Sequence, residues 1–406
     1  MDFELDEEQR ELRGLAAQVL DREATRERLA QSTGAYDAGI WKALAQSGVL
    51  GACLPAAAGG AGRGTVELAI VLREIGAHVA PVPAYASLAL GAMTIAAHGT
   101  LAQQSELLTP LAEGDAVLTG AVREPGMTGS GVRTIARQAA DGGYVLDGVK
   151  IFVPYAAEAT RVLVPARLDG RTGDQGVGVF LVEPAAVRTS PHPAATGEPM
   201  ARLALGGVRV GADALLGAGA WTTLRRYASA GAVAIVSGVV ERALALTTEH
   251  VKTREQFGRV LAEFQAVTML VGDVYIAKRA LDVAMWAAVW RLDRSTRSTP
   301  RMDGAPNAPN APGAPGAPNV DDDLDDLDDL DDLDELDDVD EALAVAAYNA
   351  CGPAVEALYA CQHLHGGIGV DVTYPLHRYF AWGKHYGHLL GGAAAQLDAL
   401  GDLLTD

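Results

Sequence analysis

The chain has 406 residues, enough for two or three domains with a sizeable core, and 49% of them are hydrophobic, which excludes a chain that is disordered throughout. Only 5% are aromatic, a balance that suits close-packed helices better than a large β-sandwich. The formal charge of −20 is local: fifteen Asp or Glu and no Lys or Arg lie between Asp321 and Glu341, and without them −5 remains, which argues against nucleic-acid binding and its need for a basic footprint.

The beginning, MDFELDEEQRELR, is acidic where a signal peptide is basic and then apolar. Leu5, Leu12, Leu15, Val19 and Leu20 recur at helical spacing. Further helices are predicted over Gly39–Gly48, Thr65–Val79, Ala84–Ala97 and Leu101–Leu111, with a Gly-rich loop from Leu54-Pro55 to Gly64. From Ala116 the pattern changes to short β-branched runs. Ala116–Val122, Arg161–Arg167, Gly176–Val182 and Leu203–Val210 read as strands, and Gly143–Val153 reads as a hairpin with Asp147-Gly148 at its turn. Strands with no helix between them predict an antiparallel sheet or small barrel. Helix returns over Leu224–Thr253, Leu261–Trp290, Glu341–His363 and Ala381–Leu404. The small-residue run Tyr227–Val240 is shorter than the ~20 residues of a membrane span, so no membrane partner is expected. Between the second and third of these helices, residues 295–340 are Pro/Asn/Ala/Gly-rich and then Leu-Asp-Asp repeats, predicted to be disordered. The three cysteines (Cys53, Cys351, Cys361) form no CxxC pair, which argues against a disulfide framework or structural zinc and fits a reducing, cytoplasmic location.

Two segments carry candidate chemistry. Arg254-Glu-Gln-Phe-Gly258, followed by Phe264-Gln265, places a guanidinium near a helix junction, where its paired donors suit a pyrophosphate. His363-Leu-His-Gly-Gly-Ile-Gly369, followed by Tyr374-Pro-Leu-His-Arg-Tyr379, contains Gly366-Gly367, whose amides are unobstructed for close approach by an anionic or planar ligand. Their order and spacing resemble the acyl-CoA dehydrogenase family. Glu124-Pro125-Gly126 with Gly129-Ser130, and Leu54-Pro55 with Gly59-Gly60, add to the resemblance, which spans the chain outside residues 295–340.

The resemblance implies an α+β fold: an N-terminal α-helical domain (1–115), a middle antiparallel β-barrel domain (116–218) and a C-terminal four-helix bundle (219–406) with the disordered insertion at 295–340. It implies a tetramer with FAD at subunit interfaces, an acyl-CoA substrate, and a glutamate that takes the α-proton while the β-hydride passes to the flavin. Burial raises the pKa of such a base, and hydrogen bonds to the thioester carbonyl stabilise the enolate. The cofactor-binding residues it implies are Arg254, Gln256, Phe257, Gln265, His363, Gly366 and Gly367, contacting FAD held mainly by a neighbouring subunit. His363 stands where the family commonly has glutamine.

Other departures concern this chain's own site. Arg123 replaces a threonine before the Glu-Pro pair, one residue is inserted in Glu124–Ser130, and Phe152-Val153-Pro154 replaces Trp-x-Thr/Ser after Lys150; proline lacks the N–H and hydroxyl that contact the flavin. The two family positions for the glutamate fall on Leu389-Leu-Gly-Gly392 and on Ala228, so no catalytic residue is assigned. Glu241 and Glu249 lie further along the same helix as Ala228 and read as solvated or ion-paired. His385 and His388 lack a thiolate or well-spaced carboxylate to complete a metal site, and none is assigned.

Retained trans-acting motifs with a degraded own pocket are similar to the completing chain of bacterial heterotetrameric acyl-CoA dehydrogenases, including actinobacterial enzymes that shorten steroid side chains. Leu389–Ala393 resembles the ending of those subunits. The expected partner is a second acyl-CoA dehydrogenase chain, or another copy of this one. The alternatives are a self-sufficient flavoenzyme, with a relocated base or monooxygenase activity, and a non-catalytic interaction protein on the same fold. No GxxxxGK[ST], HExxH or GxSxG motif is present.

Overall fold

Asp6 accepts a hydrogen bond from the Gln9 amide while the Gln9 side chain accepts one from the Asp6 amide (2.8 and 3.1 Å), a reciprocal cap that starts α1 at Glu7–Glu23. The computed structural model describes residues 4–31, 36–127, 131–171, 173, 176–298, 339–403 and 405. After α1 come α2 (Arg26–Gln31), α3 (Ala38–Gln46), α4 (Thr65–His78), α5 (Met93–His98) and α6 (Leu101–Ala112). The helix expected over Ala84–Ala97 is π-helical in its first part, Tyr85–Ala92, before α5 continues it. The wider turn seats Ser87 against the first strand: its Oγ accepts from the Leu118 amide and donates to the Leu118 carbonyl (3.1 and 3.2 Å).

The middle of the chain forms β1 (Leu118–Gly120), β2 (Ile135–Gln138), β3 (Tyr144–Pro154), β4 (Arg161–Leu168), β5 (Val177–Val182), β6 (Arg188–Pro191) and β7 (Met200–Val210). They make one sheet in the order β1-β4-β2-β3-β7-β6, with β5 on the other edge of β4. Two features correct the sequence reading. The sheet is mixed, because β1 and β2 lie end to end along one edge of β4 and both run parallel to it. Among the described residues no ladder joins β5 to β6. Asp147-Gly148 is not a turn: both lie within the continuous strand β3, beside a bulge. A Cβ on Gly148 would collide with the Thr134 side chain, so the glycine serves a close backbone approach. The β2–β3 turn is at Ala139–Gly143, where Gly142 takes φ 85°.

The remaining helices are α7 (Ala220–Thr253), α8 (Gln265–Ser298), α9 (Val339–Cys351), α10 (Pro353–His365), α11 (Leu376–Leu389) and α12 (Ala393–Leu403). α7 is the axis of the bundle. Gly76 of α4 faces the Ile235 carbonyl and Gly238 of α7 faces the Arg73 carbonyl, each with no room for a Cβ, so these two backbones touch. α7 is long and apolar enough by composition to cross a membrane, but 72% of its apolar window is buried inside the protein. The two later rods expected from sequence are each broken. Gly352-Pro353 separates α9 from α10, since proline offers no amide to continue the ladder. Gly391 and Gly392 (φ 97° and 85°) separate α11 from α12. The edges of the expected disordered insertion are helical: Ser295–Ser298 end α8 and Val339–Glu341 begin α9. Arg226 clamps Asp340 through two bonds of 3.0 Å. Residues 299–338, and with them most of the acidic repeat, lie outside the described residues, as do Gly129 and Ser130.

Candidate functional site

Arg254 follows the last residue of α7, its amide bonded to the His250 carbonyl (2.8 Å) and its carbonyl accepting from the Leu261 amide (2.8 Å). Between them β8 (Glu255–Gln256) and β9 (Arg259–Val260) pair as a minimal hairpin. Its two-residue turn is Phe257-Gly258, with φ 55° and 79°. Such a turn needs left-handed backbone at both positions. Glycine accepts this freely, but a bulky side chain is strained there. Phe257 is also 92% exposed. Arg259 lies over the Phe264 ring, 4.0 Å from its centroid, and braces the hairpin base. Gln256 is exposed on the hairpin, and Gln265 is exposed at the start of α8.

The second motif ends α10. His363, Gly366 and Gly367 are exposed, and Gly366 closes the helix with φ 62° and ψ −143°. No atom lies within 4 Å of where a Cβ would stand on Gly366 or Gly367, so their backbone faces open space. The two motifs meet through a pair of rings. His250 of α7 stacks on His365 of α10 with centroids 4.3 Å apart and planes 20° from parallel. This contact ties Arg254, one turn beyond His250, to the Gly366 turn that follows His365. The residues gathered here offer a guanidinium, two glutamine amides, a histidine, an unshielded glycine backbone and an exposed aromatic face. That set fits FAD, which presents a diphosphate, polar ring edges and planar rings.

This chain's own side of the fold carries the departures from the family pattern noted in the sequence. Arg123 bridges to Ile151 in the sheet, and burial lowers the pKa of its guanidinium. A Cβ on Gly391 would lie 3.8 Å from Arg123 Nη1, so a cation stands against one of the two glutamate positions. At the other, the Ala228 carbonyl accepts a hydrogen bond from the Tyr85 hydroxyl (3.1 Å). Phe152 takes φ 53° and its ring meets His192 edge-on at 4.2 Å. The Pro154 carbonyl is taken by Thr119 Oγ1 (2.6 Å). Glu241 is paired with Arg73 and Arg13, as its ion-paired reading expects, and Glu249 is exposed. Burial drives the His385 pKa down to about 4, so this ring stays neutral.

Sequence reasoning missed Glu198. It precedes β7 in a loop, is 5% exposed, and its Oε1 accepts from the hydroxyls of Tyr155 (3.2 Å) and Tyr386 (3.4 Å), while Oε2 is buried without a hydrogen-bond partner. Burial pushes its carboxyl up to about 7, against those hydrogen bonds. No periodic pattern marks a loop residue for burial, so the sequence carried no signal for it. Glu124 and Lys150, the Glu-Pro glutamate and the strand lysine, form a buried ion pair at 2.6 Å. Glu124 Oε1 also accepts from Thr134, and Oε2 from the Arg133 amide. This pair fixes the loop that presents Arg123.

Residues 6–115 match the acyl-CoA dehydrogenase N-terminal domain, and residues 225–305 the acyl-CoA dehydrogenase C-terminal domain. With relatives above 30% identity over nearly its full length, the chain belongs to the acyl-CoA dehydrogenase family, FAD-dependent oxidoreductases that act on acyl-CoA thioesters. It is 31% identical to acyl-CoA dehydrogenase FadE28 of Mycobacterium tuberculosis, over 99% of this chain and 98% of that one. It is 29% identical to FadE27 of the same organism, over 100% and 99%. Among solved structures it is similar to the ChsE4-ChsE5 complex from Mycobacterium tuberculosis (TM-score 0.84, 28% identity, 100% of this chain and 99% of that one). It is also similar to a variant of the Tcur3481-Tcur3483 steroid ACAD (TM-score 0.81, 35% identity, 98% of each).

Proposed function

We propose that this chain is the completing subunit of a heteromeric acyl-CoA dehydrogenase. It lends Arg254, Gln256, Phe257, Gln265, His363, Gly366 and Gly367 to FAD held mainly by a second chain, which carries the catalytic glutamate. The observation that carries this reading is the contrast between the two ends of the molecule. The trans-facing donor set is open and exposed, whereas the two glutamate positions hold Ala228, bonded to Tyr85, and Gly391, set against Arg123. The likeness to heteromeric ChsE4-ChsE5 and Tcur3481-Tcur3483 supports the partner, and the latter, a steroid ACAD, points to a steroid-like or branched acyl-CoA. FAD, when bound, takes up the hydride in the α,β-desaturation; this chain's part is to grip the diphosphate and to cover one face of the cofactor from water. Three free cysteines fit a cytoplasmic setting.

One observation favours a second reading, a self-sufficient flavoenzyme with a relocated base: Glu198 is a buried carboxyl poised near neutral pH, as a general base requires. Native mass spectrometry decides between the two. The chain should be flavin-free alone and should bind FAD when co-expressed with a second acyl-CoA dehydrogenase chain of its organism. A homotetramer with about one FAD per chain sinks the completing-subunit reading and makes Glu198→Gln the next variant to assay.

A further inference from the structure

We propose that His250 and His365 are positioning residues: their stacked rings hold the Arg254–Gly258 hairpin and the Gly366-Gly367 turn at a fixed separation, so that one ligand can bridge both. The inference rests on the trans-flavin reading for what that ligand is, but the geometry stands without it. α7 and α10 both end at this point, and the stack joins their last turns. His250 is bound to the hairpin through its own carbonyl, which accepts the Arg254 amide. His365 is the residue before Gly366, whose amide turns back to the His363 carbonyl.

The His365 ring cannot rotate freely. Nδ1 lies 2.8 Å from the Cys361 carbonyl and Nε2 lies 3.2 Å from the Tyr374 hydroxyl. A carbonyl only accepts, so Nδ1 carries the proton. In the neutral ring Nε2 then accepts from Tyr374. Both ring nitrogens are used, the residue is 6% exposed, and its plane is set. His250 then has a fixed surface to lie on. Tyr374 belongs to the segment leading into α11, so one ring ties α7, α10 and α11 behind the glycine turn.

Hydrogen exchange of the full chain, read by mass spectrometry, tests the positioning directly. His250→Ala should speed exchange at least several-fold in residues 254–260 and also in residues 366–371, and His250→Phe, which keeps a stacking ring, should restore both. Tyr374→Phe removes only the hydroxyl and should loosen 366–371 alone. The proposal is overturned if His250→Ala loosens 254–260 but leaves 366–371 at the wild-type rate, or if Phe fails to rescue a folded variant. FAD occupancy of the two-chain complex, measured on the same variants, tests the ligand. It should fall with Ala and recover with Phe. Coupled loosening with unchanged flavin occupancy upholds the positioning role and removes FAD as what these segments hold.

Discussion

Tyr85 and Tyr386 meet edge to face with ring centroids 5.3 Å apart, joining the π-helical turn to α11 directly beside Ala228. Tyr386 is 2% exposed and Tyr85 6%. The Tyr85 hydroxyl bonds the Ala228 carbonyl and the Tyr386 hydroxyl bonds Glu198, so two rings and a carboxyl pack beside one of the two glutamate positions that the family would use. We expect this packing to exclude a thioester, so placing a carboxylate at Ala228 alone should leave the isolated chain without dehydrogenase activity. Ala228→Glu combined with Tyr85→Ala opens the space. A gain in acyl-CoA binding by calorimetry for the double variant, absent from the single one, is the expected result. Equal binding by both would show that the tyrosine pair does not close the site.

Glu198 gives stability a pH dependence of definite sign. Its folded carboxyl titrates at about 7, above the ordinary value of 4.5, because burial penalises the charge. Below pH 4.5 both states hold the proton, and the contribution is fully present. As pH rises from 4.5 to about 7 the unfolded chain releases its proton while the folded chain keeps it, so stability is lost across that window, by roughly 3 kcal/mol at most. Glu198→Gln has no proton to lose. Its denaturant midpoint should vary less between pH 5 and 8 than that of the wild type, and parallel profiles would refute the assignment.

The order of helices, sheet and helices was legible because period and β-branching report which face of an element is buried. That Arg254 and Gly366 lie at helix ends was legible for a different reason: each belongs to a short motif whose glycines mark a turn. What escaped was tertiary. Gly148 looks like a turn glycine until Thr134 is seen against its backbone, and Gly352-Pro353 looks like an interruption that a long apolar helix could override. Glu198 lies in a loop and is buried against two tyrosines, Tyr155 and Tyr386, drawn from distant elements. The His250–His365 contact joins residues with no shared motif, so sequence order could not pair them.

The Glu124–Lys150 pair is fully buried, with Lys150 at 0% and Glu124 at 4% exposure. Burial draws the lysine down to about 8, and Glu124 opposes that shift; burial raises the glutamate, but Lys150 and Thr134 outweigh it and hold it below its ordinary value. Both are charged at neutral pH. Lys150→Met strands the carboxylate on its hydroxyl and amide donors and should cost about 3–5 kcal/mol. Lys150→Met with Glu124→Gln should recover part of that loss, measured by denaturant unfolding, because the uncompensated charge is gone. If the double variant is no more stable than the single one, the loss comes from packing and not from charge.

Phe257 sets stability against binding. Its left-handed backbone is one that asparagine adopts more readily than phenylalanine, and its side chain, 92% exposed, contributes little packing within the chain. Phe257→Asn should therefore stabilise the isolated chain, by about 1 kcal/mol or a small rise in melting temperature. The same change removes an aromatic face from the trans site and should lower FAD occupancy of the two-chain complex. Arg254→Gln serves as the contrast: it relieves no strain and should lower flavin occupancy with the melting temperature unchanged. A strained residue kept where an unstrained one would be more stable points to function at that position. Unchanged flavin occupancy in Phe257→Asn would leave the strain without that explanation.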